Sequence, residues 1–182
     1  DRFTPTYGKP RYIDSEAKNP SVISELERLD IKNRRSTPVS LQKKVMAYIC
    51  NHLDIWDGLV IVDQVSTPNC GVLTSRLRRF LIDESRRRPD LPFLVDSREH
   101  IHLFKHMILK PNQFEAARAV TGGRQKPTLK ASTKHAHTLS AKACGPIFLT
   151  LAEKGMLVAY GPRVDHARGF SVDGPTDPVG AG

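Results

Sequence analysis

The chain has 182 residues, 39% of them hydrophobic and 26% charged, which suits one globular domain with a sizeable core. No apolar run approaches the roughly 20 residues that span a bilayer, so no membrane partner is expected. A net charge of +9 favours anionic partners, and three widely spaced cysteines, Cys50, Cys70 and Cys144, without a CxxC pair argue against a disulfide framework or a zinc site and for reduced thiols in a cytoplasmic protein.

Residues 1–38 are irregular and rich in proline and charge. Arg2 to Tyr7 and Arg11 to Ile13 are short strand candidates, and Ser24 to Asp30 is a further strand or a short helix; together they form an edge sheet or lid. The body opens with a helix capped by Ser40, with Leu41, Val45, Tyr48, Ile49 and Leu53 on one face. Leu59 to Val62 is a continuous apolar run of the buried-strand type. Leu73, Leu77, Phe80 and Leu81 mark a second helix that Pro89 ends, with Arg86 to Arg88 favouring its dipole there. Phe93 to Val95 and Met107 to Leu109 are the next strands, and a helix begins near Pro111. A polar loop from Gly122 to Thr133 precedes a helix over His135 to Ala143. Ile147 to Leu149 pairs with Met156 to Tyr160 across a turn at Glu153, Lys154 and Gly155, and Phe170 to Val172 adds an edge strand. Strands alternating with amphipathic helices predict an α/β domain with a mainly parallel sheet covered on both faces.

Polar residues follow the strands at Asp63, Asp96, Lys110–Asn112 and Thr150. Ligands of open α/β sheets bind in the crevice beyond those carboxyl ends. Asn112 and Glu115 stand three apart at a helix start, an arrangement that can hold a hydrated magnesium ion or simply cap the helix. Thr150 to Gly155 is a tight turn able to meet a phosphate or ribose, or a plain hairpin turn. The chain ends Asp177-Pro178-Val179-Gly180-Ala181-Gly182, a small-residue run suited to bringing backbone N–H groups to an anion. The histidines (His100, His102, His106, His135, His137) read as surface or loop residues, since no carboxylate or cysteine completes a familiar zinc spacing.

Taken in order from about Leu41 to Gly182, these segments resemble the ribokinase-like (PfkB) carbohydrate kinase family, and within it the heptose-7-phosphate kinase branch. The carrying residues are Leu59 to Asp63 with Gly71 to Leu73, Leu94 to Asp96, Leu109 to Ala116, Phe148 to Met156 and Asp177 to Gly182. The resemblance implies a three-layer α/β/α ribokinase-like sandwich, incomplete, with remnant lid strands in 1–38 and a partial kinase domain in 39–182. It implies ATP-dependent phosphorylation of a sugar or sugar-phosphate hydroxyl. Lys110, Asn112, Glu115, Thr150, Leu151, Ala152, Glu153, Lys154, Gly155 and Asp177 then fall to the nucleotide, with Asn112 and Glu115 organising Mg²⁺ and a monovalent cation near Asp177. Gly180, Ala181 and Gly182 form the anion hole, and Asp63 and Asp96 are candidate sugar-binding residues. The family's catalytic base is an Asp directly after the Gly-Ala-Gly, so a fragment lacking both ends, inactive alone, is expected, with a homodimer in the intact enzyme. Ala152 stands where the family usually has glycine, and Pro178 where threonine is common. The alternative is a non-catalytic nucleotide- or nucleic-acid-binding module. Nucleic acid is the less expected partner, because 7% aromatics leaves few stacking platforms.

Overall fold

Two antiparallel ladders precede the body in the computed structural model, which describes residues 4, 6–13, 22–123 and 127–170. β1 (Thr6–Gly8) pairs with β4 (Leu29–Ile31), and between them in the chain β2 (Arg11–Ile13) pairs with β3 (Val22–Glu25). The Leu26 N–H donates to the Pro10 carbonyl at 2.9 Å, joining the ladders into one long hairpin. The stretch read as one element from Ser24 to Asp30 is therefore two strands. Two-stranded ladders are marginal alone. This one is anchored where the Tyr7 hydroxyl donates to the Gln64 carbonyl at 3.3 Å. Arg28 and Lys32 also lie over the Tyr7 ring, 5.2 and 5.6 Å from its centroid, while both pair with Asp30.

The body runs α1 (Val39–His52), β5 (Leu59–Asp63), α2 (Ser75–Arg87), β6 (Phe93–Ser97), β7 (Ile108–Leu109), α3 (Gln113–Thr121), α4 (Leu129–Ala143), β8 (Ile147–Thr150), β9 (Met156–Tyr160) and β10 (Arg163–Ala167). Its six-stranded sheet has the order β10-β9-β8-β7-β6-β5. β5 to β8 are parallel, and β9 and β10 return antiparallel. This is the α/β class the alternation predicts. Helix starts differ where capping chemistry decides them. Ser40 lies inside α1, which begins behind Pro38 with no side-chain cap. Thr74 caps α2 by accepting from the Leu77 N–H, and Thr128 caps α4 by accepting from the Ala131 N–H, both at 3.2 Å, so α4 takes in part of the predicted polar loop. In α1, Leu41 and Tyr48 face solvent, whereas Gln42 is buried. Its amide donates to the Thr37 carbonyl at 2.7 Å and accepts from the Thr74 hydroxyl at 2.8 Å. The edge strand is β10 rather than Phe170 to Val172; Phe170 is exposed and outside any strand, and 171–172 lie outside the described residues.

Burial alternates along the strands. Ile61, Phe93, Val95, Leu109, Ile147, Leu149, Leu157 and Ala159 share one core with Leu53, Leu77, Leu81, Ala116, Ala136, Leu139 and Ala143. The described helices thus cover the face that Ile61 occupies. On the other face Val60 and Val62 are 66% and 58% exposed, and Leu94, Ile108, Phe148 and Met156 line an open apolar hollow of about 500 Å³. Among the described residues, helices cover one of the two faces expected to be covered. A short apolar run such as Leu59 to Val62 carries no record of whether its second face is covered.

Candidate active site at the carboxyl edge of the sheet

Parallel pairing of β5 to β8 brings the residues after these strands to one edge. Lys110 Nζ pairs with Asp96 Oδ2 at 3.0 Å. The Lys110 N–H donates to the Val95 carbonyl at 2.8 Å and the Thr150 N–H to the Pro111 carbonyl at 3.0 Å, so Asn112 and Thr150 become bridge partners. Asn112 then caps α3. Its Oδ1 accepts from the Phe114 and Glu115 N–H groups, both at 2.9 Å, and Glu115 Oε2 accepts from the Asn112 N–H at 2.8 Å. This reciprocal capping box stabilises the helix start by about 0.5–2 kcal/mol.

The box also assigns the remaining atoms. Asn112 Oδ1 is occupied, which leaves its NH₂ as the donor side of the amide for a ligand acceptor. Glu115 Oε1 accepts no bond among the described residues and is the oxygen left for a metal or its water. One free carboxylate oxygen beside free amide donors suits Mg²⁺, which keeps most of its waters. Among the described residues no group of three His, Cys, Asp or Glu offers a closed metal cage. Burial pushes the Glu115 carboxyl above its ordinary value, with the Asp96 charge adding to the effect; the Asn112 N–H, Lys110 and Arg98 act against it.

The turn from Leu151 to Gly155 is a single 3-10 turn between β8 and β9. The Leu151 side chain is buried in the core, while Glu153 and Lys154 are exposed. The Leu151 N–H donates to the Gly155 carbonyl at 2.8 Å and the Gly155 N–H to the Ala152 carbonyl at 3.0 Å. Ala152 has φ +55°, the left-handed region that favours glycine. Alanine is therefore the strained residue at this position. Ala152→Gly should raise unfolding stability by about 1 kcal/mol, read from urea denaturation midpoints.

Asp63 and Asp96 are not brought together. Asp96 and Lys110 pair on the open side of the sheet, whereas Asp63 is buried on the helix side. Asp63 Oδ2 accepts from the Ser97 hydroxyl at 2.9 Å and contacts His100 Nδ1 at 3.3 Å, with an Arg78 guanidinium nitrogen at 3.9 Å. The Ser97 hydroxyl in turn accepts from the His100 N–H at 3.1 Å. Asp63 also borders a cavity of about 500 Å³ beneath the hairpin, with Tyr7, Asn33, Thr37, Gln64 and Gln42. Sequence reasoning missed Arg78, Ser97 and His100 because their partner is 15 to 37 positions away. Asp177, Gly180, Ala181 and Gly182 lie outside the described residues.

The edge of parallel strands ending in a capped helix, continued by an antiparallel hairpin, matches the ribokinase-like α/β fold of solved structures. No family model and no curated protein matches the sequence. Solved structures share its fold. A mutant of phosphofructokinase-2 from Escherichia coli is 15% identical, with 81% of this chain and 48% of that one covered and a TM-score of 0.60. Phosphofructokinase-2 from the same organism in complex with fructose-6-phosphate is 14% identical, with 82% and 49% covered and a TM-score of 0.56. Ribokinase from Thermotoga maritima is 16% identical, with 82% and 45% covered and a TM-score of 0.52. The chain spans about half the length of these structures, and the likeness extends to the fold. No described helix is long and apolar enough to cross a membrane.

Proposed function

We propose that the chain serves an ATP-dependent carbohydrate kinase, which moves a phosphoryl group from ATP to the hydroxyl of a sugar or sugar phosphate. The observation that carries this reading is the meeting of the Asn112–Glu115 cap, Thr150 and the Lys110–Asp96 pair on one edge of the sheet. Phosphoryl transfer is mostly positioning and charge stabilisation, and this edge has the parts for both. Asn112 presents amide donors to phosphate oxygens, the Leu151–Gly155 backbone lies beside Thr150 to meet the nucleotide, and Glu115 Oε1 receives hydrated magnesium. Bound there, Mg²⁺ would offset the charge of the phosphates. Asp177 and the Gly180–Gly182 anion hole are assigned on the sequence resemblance, as is the heptose 7-phosphate acceptor. The fructose-6-phosphate complex of phosphofructokinase-2 supports a sugar-phosphate acceptor more generally. The cavity beneath the hairpin is the proposed acceptor site.

Glu115→Gln separates this function from stability. A carboxyl whose pKa is raised by folding holds a proton that the unfolded chain would release. The stability linked to that proton is fully present below the unfolded value and is lost as pH rises through the folded one. Gln keeps an acceptor for the Asn112 N–H without the buried charge, so the variant should melt at or above the wild-type temperature at pH 7. Calorimetry should show Mg²⁺-dependent ATP binding in the wild type that EDTA abolishes, and little magnesium dependence in the variant. Magnesium-independent binding to the wild type, or nucleic-acid binding that weakens steeply with salt, would favour a binding module instead.

A further inference from the structure

The cations at this edge differ in how they are held. Lys110 is paired with Asp96. Arg118 is paired with Glu99 at 2.6 Å and donates to the Arg98 carbonyl at 3.2 Å. Arg78 lies over the Phe104 ring beside Asp63. Arg98 has a fixed backbone and, among the described residues, no hydrogen-bond or ion-pair partner for its side chain. Its N–H donates to the Asp63 carbonyl at 3.2 Å and its carbonyl accepts from Arg118, so both sides of its peptide are tied, to β5 and to α3. Its side chain is exposed, and no described residue pairs with the guanidinium.

Position decides what such a group meets. Arg98 directly follows the last residue of β6, one strand over from Asp63, which borders the cavity beneath the hairpin. Asp96, two residues before Arg98, pairs with Lys110, two residues before the Asn112 cap. Arg98 thus stands between the proposed acceptor cavity and the α3 cap. A guanidinium suits this place because its planar fork binds two phosphate oxygens at once and stays charged at any working pH.

We propose that Arg98 binds the terminal phosphate of the phosphoryl donor, its guanidinium meeting that group between the cavity and the Asn112–Glu115 cap. This rests on the kinase reading above and adds a residue to that site. The tied backbone fixes the root of the side chain, so less freedom is lost on binding.

The test measures affinities of the whole chain, wild type and the Arg98→Ala and Arg98→Lys variants, by calorimetry. The ligands are Mg·ATP, Mg·ADP and fructose 6-phosphate, followed by inorganic tripolyphosphate and pyrophosphate. Arg98→Ala is expected to weaken Mg·ATP about ten- to hundredfold with Mg·ADP unchanged, and Arg98→Lys to recover part of the loss. Melting temperatures should agree closely, since the side chain is exposed. Equal loss for ATP and ADP, no loss for either, or a loss confined to fructose 6-phosphate overturns the proposal. If the wild type binds no nucleotide, the kinase reading fails and the inorganic pair decides for Arg98. An Arg98-dependent preference for tripolyphosphate over pyrophosphate then supports a phosphate site, and its absence overturns one.

Discussion

Gly155→Ala is expected to cost about 4 kcal/mol of unfolding stability and to abolish nucleotide binding. Gly155 has φ +90° and ψ −132°, a region that side-chain-bearing residues avoid. A Cβ there would stand 2.1 Å from the Ala167 carbonyl oxygen, 2.5 Å from the Gly169 nitrogen and 2.7 Å from the Arg168 carbonyl carbon. All three are backbone atoms, so no flexible side chain can swing away. Relief would require moving the end of β10 off the turn, and the His166 to Lys154 carbonyl contact at 2.8 Å holds these segments together. Because the turn follows Thr150, its displacement also disturbs the edge proposed to meet the phosphates. Urea denaturation and hydrogen exchange over β9 and β10 check this. The Ala152→Gly change three residues away should shift stability in the opposite direction, which makes the pair an internal control. A cost below about 1 kcal/mol for Gly155→Ala would be incompatible with a turn packed this closely.

Which parts were legible in advance follows from how far apart the determinants lie. Alternating apolar strands and amphipathic helices are local signals, and the α/β class followed from them. The Asn112-x-x-Glu115 spacing was legible too, and it proved to be a capping box whose geometry decides which atoms remain for a ligand. Legibility ended where partners are distant or signals weak. Nothing near Asp63 announces Ser97, His100 or Arg78, since the parallel pairing of β5 with β6 is what brings them together. Arg98 is a single exposed arginine after a strand, and only its two backbone tethers set it apart. β10, Arg163–Ala167, is a polar strand that pairs with β9 and, among the described residues, stands at the sheet edge, so its composition offered little apolar alternation. The open sheet face at Val60 and Val62 was hidden for the opposite reason, because branched apolar residues read as buried wherever they fall.

Asp63→Ala should destabilise the chain by about 3–5 kcal/mol, the range for removing one partner of a buried charge pair. The Arg78 side chain is 11% exposed, its guanidinium lies 5.2 Å from the Phe104 ring centroid, and its Nε has no partner; burial already lowers its pKa against the opposing pull of Asp63. Without the carboxylate this cation stays buried and uncompensated, and the Ser97 hydroxyl and His100 ring lose their shared acceptor. Arg78→Met in the same background should recover much of the loss, because an apolar side chain of similar length needs no counter-charge. A double-mutant cycle checks the coupling, and strict additivity of the two changes would show that the 3.9 Å approach carries no energy. The network also fixes the segment that carries Arg98, through Ser97 before it and His100 after it. Asp63→Ala is therefore expected to weaken Mg·ATP binding although its carboxylate is buried away from the phosphate edge. That loss should be absent when Arg98 is already alanine, since both changes act through the same guanidinium. A full additional loss in the double variant would mean that Asp63 contacts the ligand itself.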